Sequence, residues 1–195
     1  MDLFDDIFAE TPKKPLKSGI ENVVFKRKWT LPKKGDCQIW FSGENEATNF
    51  ADYATFYALR CNCTKRLTIS TVLFTLEGME VMANICRALE IPQVKIIFGR
   101  HAKTLERYYR LRYEVVKMFR ATGVKGDLVY SPHHAKYILA ENEDGTGWLL
   151  NSSANINKNP NLENYLFTEA QQMVDEFKLF ASTNNDAELL QRFEI

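Results

Sequence analysis

Histidine and cysteine are scarce in this sequence and long apolar runs are missing, and each shortage closes off a class of function. No stretch approaches the roughly 20 apolar residues that cross a bilayer as a helix. The acidic start MDLFDDIFAE has neither the basic n-region nor the apolar h-region of a secretory leader, so a cytoplasmic location is expected. The four cysteines, Cys37, Cys61, Cys63 and Cys86, are irregularly spaced. Cys61-Asn62-Cys63 has no second Cys or His pair at zinc-finger spacing, which argues for idle thiols in a reducing compartment rather than structural zinc or a disulfide framework. The three histidines stand at 101, 133 and 134, and the carboxylates are scattered, so neither a metal nor another cofactor is expected. No internal repeat is present.

What remains is ordinary globular material: 195 residues, 45% hydrophobic and 26% charged, enough for one domain with its own core. The net charge of zero hides an asymmetry. Between His101 and Gly126 lie seven Lys or Arg against two Glu, and from Pro160 onward seven Asp or Glu against two cations. A second basic cluster, FKRKWTLPKK, covers Phe25 to Lys34. Lys26, Arg27 and Lys28 from one cluster, and Lys103, Arg107 and Arg110 from the other, are candidates to grip a nucleic-acid backbone while nearby aromatics stack on bases. A solvated helix face over core aromatics explains the same residues equally well.

Residues 1–20 read as a flexible tail. DLFDDIF mixes acidic and large apolar side chains and suits docking on a protein partner, and TPKKPLKSG supplies the Pro, Lys and Gly of a linker. Strand and helix signals then alternate. Strands are expected near 37–41, 67–74, 93–99, 127–130, 134–140, 147–151 and 164–168, and helices near 47–61, 78–91, 102–122, 170–182 and 186–193. This alternation predicts an α/β fold, a mixed sheet sandwiched by helices.

The chemistry-bearing stretch is HHAKYILAENEDGTGWLLNSSANINKNP, residues 133–160. It reads as two strands joined by a tight turn at Asp144-Gly145. Side chains two apart share a strand face, so His134 and Lys136 point one way and Tyr137 and Leu139 the other. A two-residue turn sets Lys136 opposite Ser153 and His134 opposite Asn155; a three-residue loop would shift that register. An imidazole, an ammonium, a hydroxyl and a carboxamide thus converge. That set suits phosphoryl transfer without metal, with the imidazole as nucleophile or acid and the donors facing the phosphate oxygens.

His134-Ala135-Lys136, Ser152-Ser153-Ala154-Asn155 and Glu163-Asn164 resemble, in order and spacing, the signature of the phospholipase D superfamily. The likeness is strongest over 133–168 and extends loosely back to about residue 37. Glu141 stands where the family has Asp, and Ser152 where it has Gly. The resemblance implies a phospholipase D-like nuclease domain over 21–195. In it His134 forms a phosphohistidine or protonates the leaving oxygen, Lys136 and Asn155 bind phosphate, Ser153 supports them and Glu163 orients the imidazole. The family needs two His-x-Lys motifs per centre and this chain has one, so a homodimer with the site on its two-fold axis is implied. The expected activity is a metal-independent phosphodiesterase, a nuclease acting on DNA or RNA. The two departures define the competing class, a nucleic-acid-binding or scaffold module that keeps the fold without turnover.

Overall fold

A computed structural model describes residues 31–33, 35–41, 50–99, 106–156, 163–183 and 188–193. The tail at 1–20, the cations Lys26, Arg27, Lys28 and Lys103, and the side chain of Arg107 lie outside the described residues. The elements are β1 (Cys37–Phe41), α1 (Phe50–Ala58), β2 (Arg66–Thr71), α2 (Leu76–Ala88), β3 (Gln93–Phe98), α3 (Glu106–Arg120), β4 (Lys125–Tyr130), β5 (Lys136–Glu141), β6 (Gly147–Ser152), β7 (Asn164–Thr168), α4 (Gln171–Ser182) and β8 (Glu188–Phe193). Among the described residues no helix is long and apolar enough to cross a membrane.

The eight strands form one sheet in the order β1-β7-β6-β5-β2-β3-β4-β8. β2, β3 and β4 are parallel, and the other pairings are antiparallel. The parallel strands are joined through α2 and α3, which is why they read as short apolar runs covered by helices. One face of the sheet packs with α1, α2 and α3 into the main core. Leu67, Ile69, Val94, Ile96, Ile138, Ala140 and Leu150 meet Phe56, Met79, Met82 and Phe119 there. Tyr165 stacks on Trp40 and Phe167 on Tyr57, with centroid distances of 5.3 and 3.7 Å. The opposite face carries a smaller core of Ile97, Tyr137, Leu139 and Leu149, closed by Val174 and Phe177 of α4.

Two local expectations are corrected. The segment at 186–193 is not a helix: Glu188–Phe193 forms β8, antiparallel to β4. Its local sequence is compatible with a helix. The open edge of β4 supplies a ladder, however, and Phe193 becomes fully buried near Phe119. Tertiary pairing overrides a weak local preference. The β5–β6 hairpin also has the shifted register, with Lys136 opposite Ser152 and not Ser153. Its loop is three residues long, closed by Asn142 N–H donating to the Thr146 carbonyl at 2.9 Å, and Gly145 takes φ +85°. The Asp144 carboxylate accepts from Thr146 N–H at 2.9 Å, Thr64 N–H donates to Asn142 Oδ1 at 3.0 Å, and Lys178 Nζ donates to the Gly145 carbonyl at 2.7 Å. The tip is thus tied to the chain before β2 and to α4.

A Cβ at position 145 meets no atom within 4 Å, so the cost of replacing this glycine is conformational and not steric. Gly145→Val should lower stability by about 1–2 kcal/mol in equilibrium denaturation. Gly145→Asn should lose less, since Asn tolerates the left-handed region. Equal losses would contradict this account of the turn.

Candidate active site

The site is built where the parallel strands end. Ser70 pairs with Tyr137, so the start of β5 lies beside the carboxyl end of β2, the usual crevice for ligands in open α/β sheets. β5 begins at Lys136, and His134 lies in the segment before it. That segment is pressed into place: Ser70 Oγ donates to the Ala135 carbonyl at 2.9 Å, and Ser131 N–H donates to the Phe98 carbonyl at 2.9 Å. Gly99 makes the approach possible, because a Cβ there would sit 2.8 Å from the His133 carbonyl oxygen.

His134 and Lys136 meet although only one of them is in the strand. Lys136 is 7% exposed. Its Nζ lies 3.0 Å from His134 Nδ1 and donates to the His134 carbonyl at 3.2 Å. An ammonium beside Nδ1 makes that nitrogen the acceptor, so the proton of the neutral ring is on Nε2. Burial lowers the Lys136 pKa, and the charge of Glu163 opposes that shift.

The return strand brings the hydroxyls and amides. Ser153 Oγ donates to Glu163 Oε2 and accepts from Asn164 N–H at 3.1 Å. The side-chain oxygen Oδ1 of Asn155 accepts from Val72 N–H and Leu73 N–H at 3.2 and 2.9 Å, which ties it to the chain just after β2 and leaves the amide nitrogen of Asn155 to donate. Ser152, in the glycine position of the resemblance, directs its hydroxyl to the Asn164 carbonyl at 2.8 Å and accepts from Ala154 N–H at 2.9 Å. Glu141 is at the far end of β5, where its carboxylate grips the Arg66 guanidinium at 2.7 and 3.1 Å. It ties β5 to β2, a structural task.

A groove of about 560 Å³ contains His134, Lys136, Ser152 and Ser153 on its sheet side. Its other wall is Glu176, Phe177 and Phe180 of α4, which the sequence reading did not single out. Their spacing on one helical face was the available signal. Arg110 is exposed on α3 and does not line the groove. Among the described residues no group of three or more His, Cys, Asp or Glu is placed to hold a metal ion. Burial raises the Cys61 and Cys63 thiols to about 12, so neither is a thiolate near neutrality.

Three comparisons bear on the fold. No family model matches the sequence. No curated protein matches it either. Solved structures do. The phospholipase D family member Nuc from Salmonella typhimurium superposes with a TM-score of 0.54 at 15% identity, over 82% of this chain and 99% of that one. Phosphatidylserine synthase from Haemophilus influenzae Rd KW20 gives 0.55 at 13% identity, over 97% of this chain and 53% of that one. Polyphosphate kinase from Porphyromonas gingivalis gives 0.51 at 19% identity, over 81% and 27%. The chain therefore has the mixed α/β fold of the phospholipase D superfamily.

Next to the site, His133 turns the other way. Its Nδ1 accepts from Ala135 N–H at 3.1 Å, its ring packs near Tyr137 and Phe180, and its buried Nε2 has no hydrogen-bond partner among the described residues. Burial, the main cause, holds its pKa below the usual histidine value. The unfolded chain therefore binds a proton more readily than the fold does. Stability should fall as pH drops below about 6.5, and His133→Asn should flatten that slope. Denaturant unfolding at several pH values measures it, and an unchanged slope would contradict the assignment.

Proposed function

We propose that the chain is a metal-independent phosphodiesterase, a nuclease that cleaves DNA or RNA through a phosphohistidine at a homodimer interface. The observation that carries this reading is the ammonium of Lys136, buried and 3.0 Å from the imidazole of His134, in a groove open to a ligand. A buried cation held against a catalytic-type base is costly without an anion to receive. A phosphodiester is such an anion, and the ammonium of Lys136 and the amide of Asn155 meet the charge that its oxygens carry in the transition state, while Ser153, whose hydroxyl proton goes to Glu163, supports them.

The chemistry then runs in two steps. Incoming phosphate draws Lys136 Nζ away from His134 Nδ1, which frees a ring lone pair to attack phosphorus. A P–N bond forms and the P–O bond to the leaving group breaks, while the imidazolium of the second chain's His134 gives its proton to the leaving oxygen. Water next attacks the phosphohistidine and loses its proton to the second imidazole. The P–N bond breaks, and both rings return to their starting states. Glu163 holds the Ser153 hydroxyl and offsets the burial of Lys136. The sequence has one His-x-Lys motif, so in this reading a second chain supplies the second imidazole. The basic residues Lys26, Arg27, Lys28, Lys103, Arg107 and Arg110 extend the contact along the polyanion in this reading.

Cleavage of labelled DNA or RNA should survive EDTA and fall by at least about a hundred-fold in Lys136→Ala and in His134→Ala. Strict dependence on added magnesium would overturn the mechanism. Binding without cleavage, unchanged in His134→Ala, would assign the chain to the non-catalytic class instead.

Subunit exchange tests the shared centre. Wild-type chains mixed with excess His134→Asn chains should lose most of their activity per wild-type chain, because nearly every wild-type chain then faces a partner without the second imidazole. Activity that holds steady per wild-type chain would show that each chain works alone.

A further inference from the structure

The groove is chemically two-ended. Lys136 and the hydroxyl of Ser153 stand on the sheet side, and α4 presents an aromatic ring and a carboxylate from the other. Phe180 is the unusual member: a large apolar side chain left 41% exposed beside a polar site. It is nonetheless well held. His133, Tyr137 and Phe177 back its ring at centroid distances of 5.6, 6.2 and 6.2 Å, and Phe177 packs edge-on to Tyr137 at 5.3 Å. The helix end is fixed next to it, since Lys95 Nζ donates to the Ala181 carbonyl at 2.9 Å. The result is a supported platform with an open side. Glu176, four residues earlier on the same helical face, places an acceptor-only group beside the platform.

A negative charge at the α4 end turns a phosphate toward Lys136, and it does not suit a second phosphate or a lipid headgroup phosphate there. The complementary ligand has an anion at one end and a flat π-face with amino donors at the other. A nucleotide has this form, provided its base is free of its neighbours. We infer that Phe180 is a stacking platform for an unpaired base next to the scissile phosphate, and that Glu176 accepts from that base's exocyclic amino group. The preferred substrate is therefore a single strand, with cytosine or adenine favoured over thymine or uracil at that position. In duplex nucleic acid the base is paired and stacked within the helix and cannot reach the ring. This inference rests on the phosphodiesterase reading of the groove and adds its specificity.

Binding is measured in the His134→Asn background, so that nothing is cleaved, with labelled oligo-dC, oligo-dA and oligo-dT, their RNA counterparts and a duplex. Phe180→Ala should weaken single-strand binding by about ten-fold or more, with duplex binding unchanged, and Phe180→Trp should retain the affinity. Glu176→Gln should erase the preference for oligo-dC over oligo-dT, because an amide can donate to the thymine carbonyl as readily as it accepts. Equal losses on single strand and duplex would overturn the platform. So would dissociation of a dimer in Phe180→Ala, which would assign the ring to the contact between copies. If wild type cleaves but the Phe180 variants bind single strands normally, the platform alone falls. If wild type neither binds nor cleaves nucleic acid, the nuclease reading falls with it.

Discussion

The rest of the structure depends on β5 being buried on both faces at once. All six of its residues are withdrawn from solvent. Ile138 and Ala140 enter the main core, while Tyr137 and Leu139 enter the small core beneath α4. With a period of two, no slip of this strand is tolerated, because a shift by one residue would exchange the contents of two differently shaped cores. Its neighbours inherit that register, β2 through Ile69 opposite Ile138 and β6 through Leu150 opposite Ile138. Lys136 is fixed by the same constraint. It is the first rung of the strand, so its stem is packed before its ammonium has any choice of direction, and His134 is the polar group within reach.

Much of this was legible because strands buried on both faces leave a plain pattern. The alternation of YILAE and the apolar run LTIST predict central strands, and 164–168 is a strand in the structure with those same bounds. His134, Lys136 and Ser153 line one groove as expected, whereas Asn155, expected on the same strand face, is not among its lining residues and turns its side-chain oxygen to Val72 and Leu73 N–H. The hairpin register was not legible, because Asp-Gly serves both two- and three-residue loops, and the choice is made by Asn142 closing on Thr146 and by the ties from Thr64 and Lys178. β8 was illegible for a related reason. ELLQRF carries no strong local preference, and only the vacant edge of β4, which lies 58 or more residues earlier, decides it.

The two departures from the superfamily pattern have physical readings in the structure. Glu141 and Arg66 form a two-toothed contact across adjacent strands at the end of the sheet away from the groove, so the longer carboxylate serves as a clamp and leaves the groove untouched. Ser152 lines the groove, but its hydroxyl is satisfied locally, donating to the Asn164 carbonyl of β7 and accepting from Ala154 N–H. A side chain where glycine is usual is accommodated by satisfying it locally. The same hydroxyl then helps hold Ser153 and Asn164 at their mutual distance.

The position of β8 also governs how the molecule comes together in time. β2, β3 and β4 follow one another in the chain and sit side by side, so their parallel pairs form from nearby segments once α2 and α3 are made. The outer edge of β4 then waits through the synthesis of β5, β6, β7 and α4 before its partner emerges. During that interval Leu128 and Val129 lie on an unpaired edge, which is a template for any extended peptide, including another nascent copy. Translation speed over the last third of the chain thus sets how long an adhesive surface is bare in the cell.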